Sequence, residues 1–203
     1  MLRKLLFVVF VILVFSAANL NAGEIYRSIN DRINLKQRYM DLKSFAYLVT
    51  EKQRWNLIIS CDVSVPQKEL VGSTIKEILD NYCKNSEFGW RFVGGCLYIA
   101  NERELKTFFQ QLPILETHLP DYNHTNAVYS GYFKSIDLSM LCMFLSSLSG
   151  TQIRVANGFE PSIMMRVSEM SWKKVLLAIV HLNRFKLTIS DYSVLISPEN
   201  SSY

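Results

Sequence analysis

The sequence predicts an α+β fold built from two tandem small βαββαββ modules, each with two helices packed on small mixed sheets. Three observations predict it. Apolar residues recur at a shift of 96 to 97 positions: Leu42, Phe45 and Val49 correspond to Leu138, Leu141 and Leu145, and Trp55, Leu57 and Ile59 to Thr151, Ile153 and Val155. Ile75, Ile78, Leu79 and Tyr82 likewise correspond to Trp172, Val175, Leu176 and Ile179, and Leu97 and Ile99 to Val194 and Ile196. Self-similarity at a fixed period marks copies of one structural unit. Capping residues fall at equivalent places, Asp41 with Asp137 and Ser73 with Ser171. Each copy also closes on two apolar strands around a turn, Gly94-Gly95 and Asp191-Tyr192.

The first module, residues 30–101, opens on the alternation of Ile33, Leu35, Gln37 and Tyr39, which predicts a short strand. Asp41 then suits an N-cap, because its carboxylate accepts the free N–H groups of the first turn. Leu42, Phe45, Leu48 and Val49 form the apolar stripe of the helix that follows. Trp55–Ile59 is a β-rich run broken by Ser64-Val65-Pro66, and Lys68–Val71 predicts a weaker strand. Ser73 is the expected cap of a helix over Thr74–Cys83. Phe88–Val93 and Cys96–Ala100 pair across Gly94-Gly95, which tolerates the positive φ of a tight hairpin.

Residues 102–126 predict a linker, helical over Glu102–Gln111 and irregular around Pro113, Pro120 and Asp121-Tyr122-Asn123. The second module, residues 127–199, repeats the order: strand Tyr129–Phe133, helix Leu138–Leu148 ending at Gly150, and strand Gln152–Ala156. Then come an alternating strand with Ile163, Met165 and Val167, helix Trp172–Leu182, and the strands Lys186–Ser190 and Ser193–Ser197.

The chain opens on Met1-Leu2-Arg3-Lys4, an unbroken apolar run Leu5–Phe15, and small residues at Ser16-Ala17-Ala18 and Leu20-Asn21-Ala22. This is the layout of a signal peptide over residues 1–22, and it predicts export to the periplasm, with an outer-membrane association left open. The apolar run is about half the roughly 20 residues a membrane span needs. Removing Arg3 and Lys4 with that segment takes the net charge from +4 to +2. Such a balance gives no electrostatic case for nucleic acid, which selects a clustered basic face.

Cys61, Cys83 and Cys96 lie in the first copy, and an oxidising compartment permits a bridge among them whose pairing the sequence leaves open. Cys142 reads as a buried small residue. The cysteine spacings of 22 and 13 residues hold no CxxC pair, so no zinc site and no cofactor is expected. His118, His124 and His181 read as structural or surface residues, with His181 suited as a cation to a helix C-terminus. No GxSxG, HExxH, P-loop or GxGxxG pattern occurs, and Trp55, Trp90 and Trp172 sit at core-patterned positions. No base, nucleophile and stabiliser are nominated together, and the expectation is no enzyme.

Asp41-Leu42, Trp55–Ile59, Ser73–Tyr82 and Cys96-Leu97-Tyr98-Ile99 form an ordered set, matched by Asp137-Leu138, Ser149–Ile153, Trp172–Val180 and Val194-Leu195-Ile196. Each set resembles the secretin/TonB short N-terminal domain, the N0-like module of secretins and of TonB-dependent receptors. The run Gln67-Lys68-Glu69 departs from the family's alternating third strand, and the chain carries no secretin β-domain. Its shortness reads as a stand-alone protein or a truncated secretin. The resemblance implies a non-enzymatic periplasmic interaction protein of a secretin-type secretion or type IV pilus assembly system. Its partners would be protein components of that envelope machine, which would also carry any membrane association, and self-association is left open. The alternative is a signalling-type module binding an inner-membrane regulator. A hydrolase with an unrecognised site is a third and weaker reading.

Partner binding is expected at sheet edges, where unpaired N–H and C=O groups accept an added strand. The candidate residues are Ile33, Leu35, Gln37 and Tyr39 in the first copy and Tyr129, Gly131 and Phe133 in the second. The competing expectation is that the linker or the sister copy covers both edges.

Overall fold

The computed structural model of the chain describes residues 28–35, 37–119, 127–190 and 193–199. The leader read over 1–22, the stretch holding Asp121-Tyr122-Asn123 and His124, and the Asp191-Tyr192 turn lie outside them. The fold is α+β. Its first elements are β1 (Tyr39–Met40), α1 (Leu42–Gln53), β2 (Asn56–Ile59), β3 (Lys68–Glu69), α2 (Ile75–Cys83), β4 (Phe88–Val93) and β5 (Cys96–Asn101). α3 (Glu102–His118) follows, then β6 (Val128–Asp137), α4 (Leu138–Ser149), β7 (Gln152–Val155), β8 (Ser162–Ser171), α5 (Trp172–Leu182), β9 (Phe185–Ser190) and β10 (Ser193–Pro198).

The helix starts differ between equivalent places, each for a local reason. Asp41 caps α1, accepting the Ser44 N–H at 2.9 Å and the Ser44 hydroxyl at 2.6 Å. α2 is capped by Thr74 and not by Ser73: Thr74 and Glu77 form a reciprocal capping box. The Ser73 N–H and hydroxyl also donate to the Glu77 carboxylate, at 2.7 and 3.0 Å. Asp137 and Ser171 stand at the N-cap positions of α4 and α5 without a side-chain cap bond. Carbonyls just before β8 and β6 bond the first residues of these helices: Leu138 N–H donates to Pro161 O at 3.0 Å, and Trp172 N–H to Ala127 O at 3.2 Å. α3 runs through Pro113 to His118, where an irregular stretch was expected. Proline removes one backbone bond, but Leu112 before it and Leu115 after it pack on the core and hold the last turns helical.

The same three-strand arrangement occurs in both halves: β2 runs parallel to β5 and β5 antiparallel to β4, as β7 runs parallel to β10 and β10 antiparallel to β9. The halves do not stand as separate small sheets. β6 and β8, ten residues each, form a long antiparallel pair, and β8 adds its other edge to β2. The result is one five-stranded sheet in the order β4-β5-β2-β8-β6, beside the three-stranded sheet β7-β10-β9. β1 and β3, at the corresponding places of the first half, shrink to a two-residue pair.

This joining fixes the core. Leu57, Ile59, Leu97 and Ile99 belong to a cluster with α1 and α2 on one face of the five-stranded sheet. Ile58, Cys96, Tyr98 and Ala100 point the other way, into a second cluster with α3, α4 and α5. α5 is buried almost all round, from Trp172 through Val175–Val180 to Leu182, as a helix enclosed by other elements must be. Polar ties complete the junction. The Asn56 amide copies a backbone pair beyond the end of the ladder, accepting Ser168 N–H at 2.7 Å and donating to Ser168 O at 3.2 Å. Asn183 Oδ1 accepts the Cys61 N–H at 2.6 Å and the Ser60 hydroxyl at 3.1 Å, while its Nδ2 donates to Ile179 O at 2.6 Å.

β7 in the second half holds the place that β2 holds in the first, but its outer edge is occupied at Ile153. The Ser146 hydroxyl accepts the Ile153 N–H at 2.9 Å and donates to Ile153 O at 3.3 Å. Thr50, equivalent to Ser146 by the 96-residue shift, donates back into its own helix, to Ala46 O at 2.8 Å. Its choice leaves Leu57 on β2 for Arg166 of β8.

All four cysteines are free thiols, against the bridge allowed for among Cys61, Cys83 and Cys96. Cys83 ends α2 on one face of the sheet and Cys96 is buried in the cluster on the other. Cys96 lies opposite Asn56 on parallel strands, so Cys61, five residues further along, is roughly 16 Å away at 3.3 Å per residue, beyond the reach of a disulfide.

Candidate docking edge

The two predicted edges have different fates. Ile33, Leu35 and Gln37 form no strand; of that segment only Tyr39 and Met40 are β. The described residues among 32–40 instead lie along 68–74, through an Arg32–Thr74 bridge, Ile33 N–H to Ser73 O at 3.2 Å, and Tyr39 opposite Glu69. Ile33 and Leu35 turn half-buried against the first core cluster, while Gln37 and Tyr39 are exposed. The alternation was real but serves a loop laid on the module.

Tyr129, Gly131 and Phe133 lie on β6, the outermost strand of the five-stranded sheet. The order of the ladder decides which groups they offer. Asn56 and Ser60 N–H donate to Gly95 and Ile99 carbonyls, so Leu57 and Ile59 face β8. Arg166, opposite Leu57, therefore bonds β2, and Met165 and Val167 bond β6. Phe133 and Gly131 face them, which turns the N–H and C=O of Tyr132 outward, away from the sheet.

Two irregularities flank this stretch. One lies between Tyr129 and Gly131, where Glu169 of β8 takes a φ of 52° and donates its N–H to the Ser130 hydroxyl at 2.9 Å. The other lies between Phe133 and Ile136, where Ser135 and Ser162 hydroxyls meet at 2.6 Å. Bulges bend an edge and limit indiscriminate pairing, so regular pairing is available only from Gly131 to Phe133. Gly131 lets two rings close over it: a Cβ there would come within 2.7 Å of both Phe133 Cε2 and the Tyr129 hydroxyl, and one or both rings would have to shift.

The two sides of the edge differ. On the α4 side Phe133 stacks on Phe144 at 6.5 Å and 13°. Met140, Met143 and Phe144 follow at helical spacing and are 49, 68 and 43% exposed. α4 carries no charged residue over its 12 positions, so this is an apolar shelf beside an open strand. On the α1 side, Arg166 covers the Tyr132 ring at 4.4 Å and Lys134 lies 5.0 Å from the Tyr47 ring centre. Sequence reasoning found the strand and missed the shelf. The available signal was that Met140, Met143 and Phe144 fall off the Leu138, Leu141, Leu145 stripe in a helix without charge.

The remaining candidates are accounted for locally. Trp55 and Trp172 are fully buried, whereas Trp90 is half-buried and donates to Asp80 at 3.0 Å. The open groove beside it is lined by Asp80, Trp90, Arg91 and Glu102, and Arg91 pairs with Glu102 across it. His118 is exposed. His181 is half-buried against α3; burial lowers its pKa, with Glu104 pulling the other way. Among the described residues no three His, Cys, Asp or Glu side chains come together as a metal site, and no helix is long and apolar enough to cross a membrane. Comparison of the chain with protein-family models and with curated protein sequences finds no match.

Proposed function

We propose that this protein is a non-catalytic, exported docking module of a cell-envelope secretion or pilus-assembly apparatus, and that it takes an extended segment of a partner onto β6. The observation that carries the docking is the outward N–H and C=O of Tyr132 beside the Met140, Met143 and Phe144 shelf. Main-chain pairing supplies affinity in such additions, and the flanking side chains supply selectivity. The assignment to an envelope machine rests on the leader-like start and on the resemblance of each half to the secretin/TonB short N-terminal domain.

Tyr132→Pro tests it. The ring deletes the outward N–H without touching the ladder to β8, a substitution edge strands accept. Tagged wild-type protein should recover secretin or pilus components from envelope extract, and the variant, matched in circular dichroism and melting temperature, should not. Equal recovery by both would refute docking at β6. Recovery of an inner-membrane regulator in place of secretion components would reassign the module to signalling.

A further inference from the structure

We infer that the segment received on β6 alternates acidic and apolar residues, with its acidic side chains on the α1 side of the sheet. The inference rests on the docking reading above and specifies the partner's chemistry. A strand added at Tyr132 sends successive side chains to opposite faces, so the two faces of the edge set its pattern independently. The α4 face offers Phe133, Phe144, Met140 and Met143, which only apolar residues can cover without stranding polar groups. The α1 face offers Lys134 and Arg166. Among the described residues, neither has a carboxylate within ion-pair distance, whereas Arg38, Lys76, Arg91 and Arg184 each have one. Both cations are held over tyrosine rings, Tyr47 and Tyr132, on either side of the free backbone pair. Asp137, at the end of β6, lies past the second bulge and outside the regular stretch. The edge is thus apolar on one face and cationic on the other, with Arg166 opposite Tyr132 inside the regular stretch and Lys134 one residue past its end. A second copy of β6 is a poor occupant, because its Lys134 and Arg166 would meet the same charges.

The test uses three acetylated peptides: one alternating Glu with Val and Leu, one with Lys in place of each Glu, and one with the same composition as the first but its Glu residues in a block. Binding to the mature protein is followed by fluorescence anisotropy at low and high salt. The alternating acidic peptide should bind about 5- to 30-fold more tightly than the other two, as two charge pairs of roughly 0.5–1 kcal/mol each would give, and salt should narrow the gap. Lys134→Glu with Arg166→Glu should reverse the preference toward the Lys peptide, a reversal that misfolding would not produce. Equal binding of the acidic and Lys peptides, abolished for both by Tyr132→Pro, would overturn the charge pattern while leaving docking at β6 intact. Binding that Tyr132→Pro leaves unchanged would overturn both. No binding by any peptide, or self-association lost in Tyr132→Pro, would overturn the acidic partner.

Discussion

Asn183→Leu is the sharpest test of how the two halves are joined. Asn183 is 9% exposed and makes three hydrogen bonds: it accepts from Cys61 and Ser60 of the first half and donates to Ile179 in its own helix. Leucine keeps the volume and removes all three. The Ser60 hydroxyl retains Asp62 as an acceptor, so its loss is small. The Cys61 N–H and the Ile179 carbonyl are left without their partner, and each orphaned buried group costs about 1–3 kcal/mol. Added apolar burial returns about 1 kcal/mol. The net expectation is a loss of about 1–5 kcal/mol, centred near 3, which for a chain of this size is a fall in Tm of roughly 2–20 °C. Urea unfolding measures it, with the midpoint falling by roughly 0.5–2.5 M at an m-value near 2 kcal/mol/M. Single-tryptophan variants retaining Trp55 or Trp172 report the first and second halves separately. A loss under about 0.5 kcal/mol would show that the tie is idle. Midpoints that separate between the two reporters would refute the shared sheet as the unit of cooperativity.

Asp41→Ala should cost about 1 kcal/mol, because Asp41 makes its cap bonds, whereas Asp137→Ala should cost under about 0.5 kcal/mol, because Pro161 O already serves α4. The Asp41 difference carries a pH signature. Burial raises its pKa, but the Ser44 hydroxyl and N–H outweigh that and hold it below the ordinary 3.8. Its contribution is therefore complete above that value and disappears as pH falls through the lower folded value; acid titration of the Asp41→Ala difference checks this, and a difference that survives full protonation would contradict it. Alkylation followed by mass spectrometry should leave Cys96 and Cys142 unmodified in the native protein, since burial pushes both thiols up to about 12. All four cysteines should react in denaturant, and a disulfide recovered between Cys96 and either Cys61 or Cys83 would contradict the geometry.

Local signals were legible where local chemistry decides. Gly150 at the end of α4 takes a φ of 68°, and Gly94-Gly95 turns β4 into β5. Arg54, at the place of Gly150, adopts the same left-handed cap at φ 58° without any glycine to announce it. The joining of the halves was not read, because it pairs Leu57 with Arg166, far apart in the chain. Its trace was nevertheless present. Leu57-Ile58-Ile59 and Leu97–Ala100 are continuous apolar runs, the mark of strands covered on both faces, whereas Gln152-Ile153-Arg154-Val155 alternates, as a strand covered on one face does. The two copies therefore differed in pattern where they differ in neighbours. On the site, the strand holding Tyr129, Gly131 and Phe133 was legible by alternation. The failure at Ile33, Leu35 and Gln37 shows that alternation reports one buried side and not an open backbone edge.

The Ser146 hydroxyl has a consequence for the length of the object. A unit whose β8 seats on the β2 of the unit before it follows a rule of growth with no internal stop, as in any stack of repeats, which needs a terminal unit unlike the rest. If β7 were as open as β2, a third unit could be seated on the second by the same register. Ser146, turned outward from α4, holds at Ile153 the groups that the equivalent Leu57 gives to Arg166, while Thr50, turned back into its own helix, leaves those groups to β8. A third unit seated on β7 in that register would first have to displace one hydroxyl.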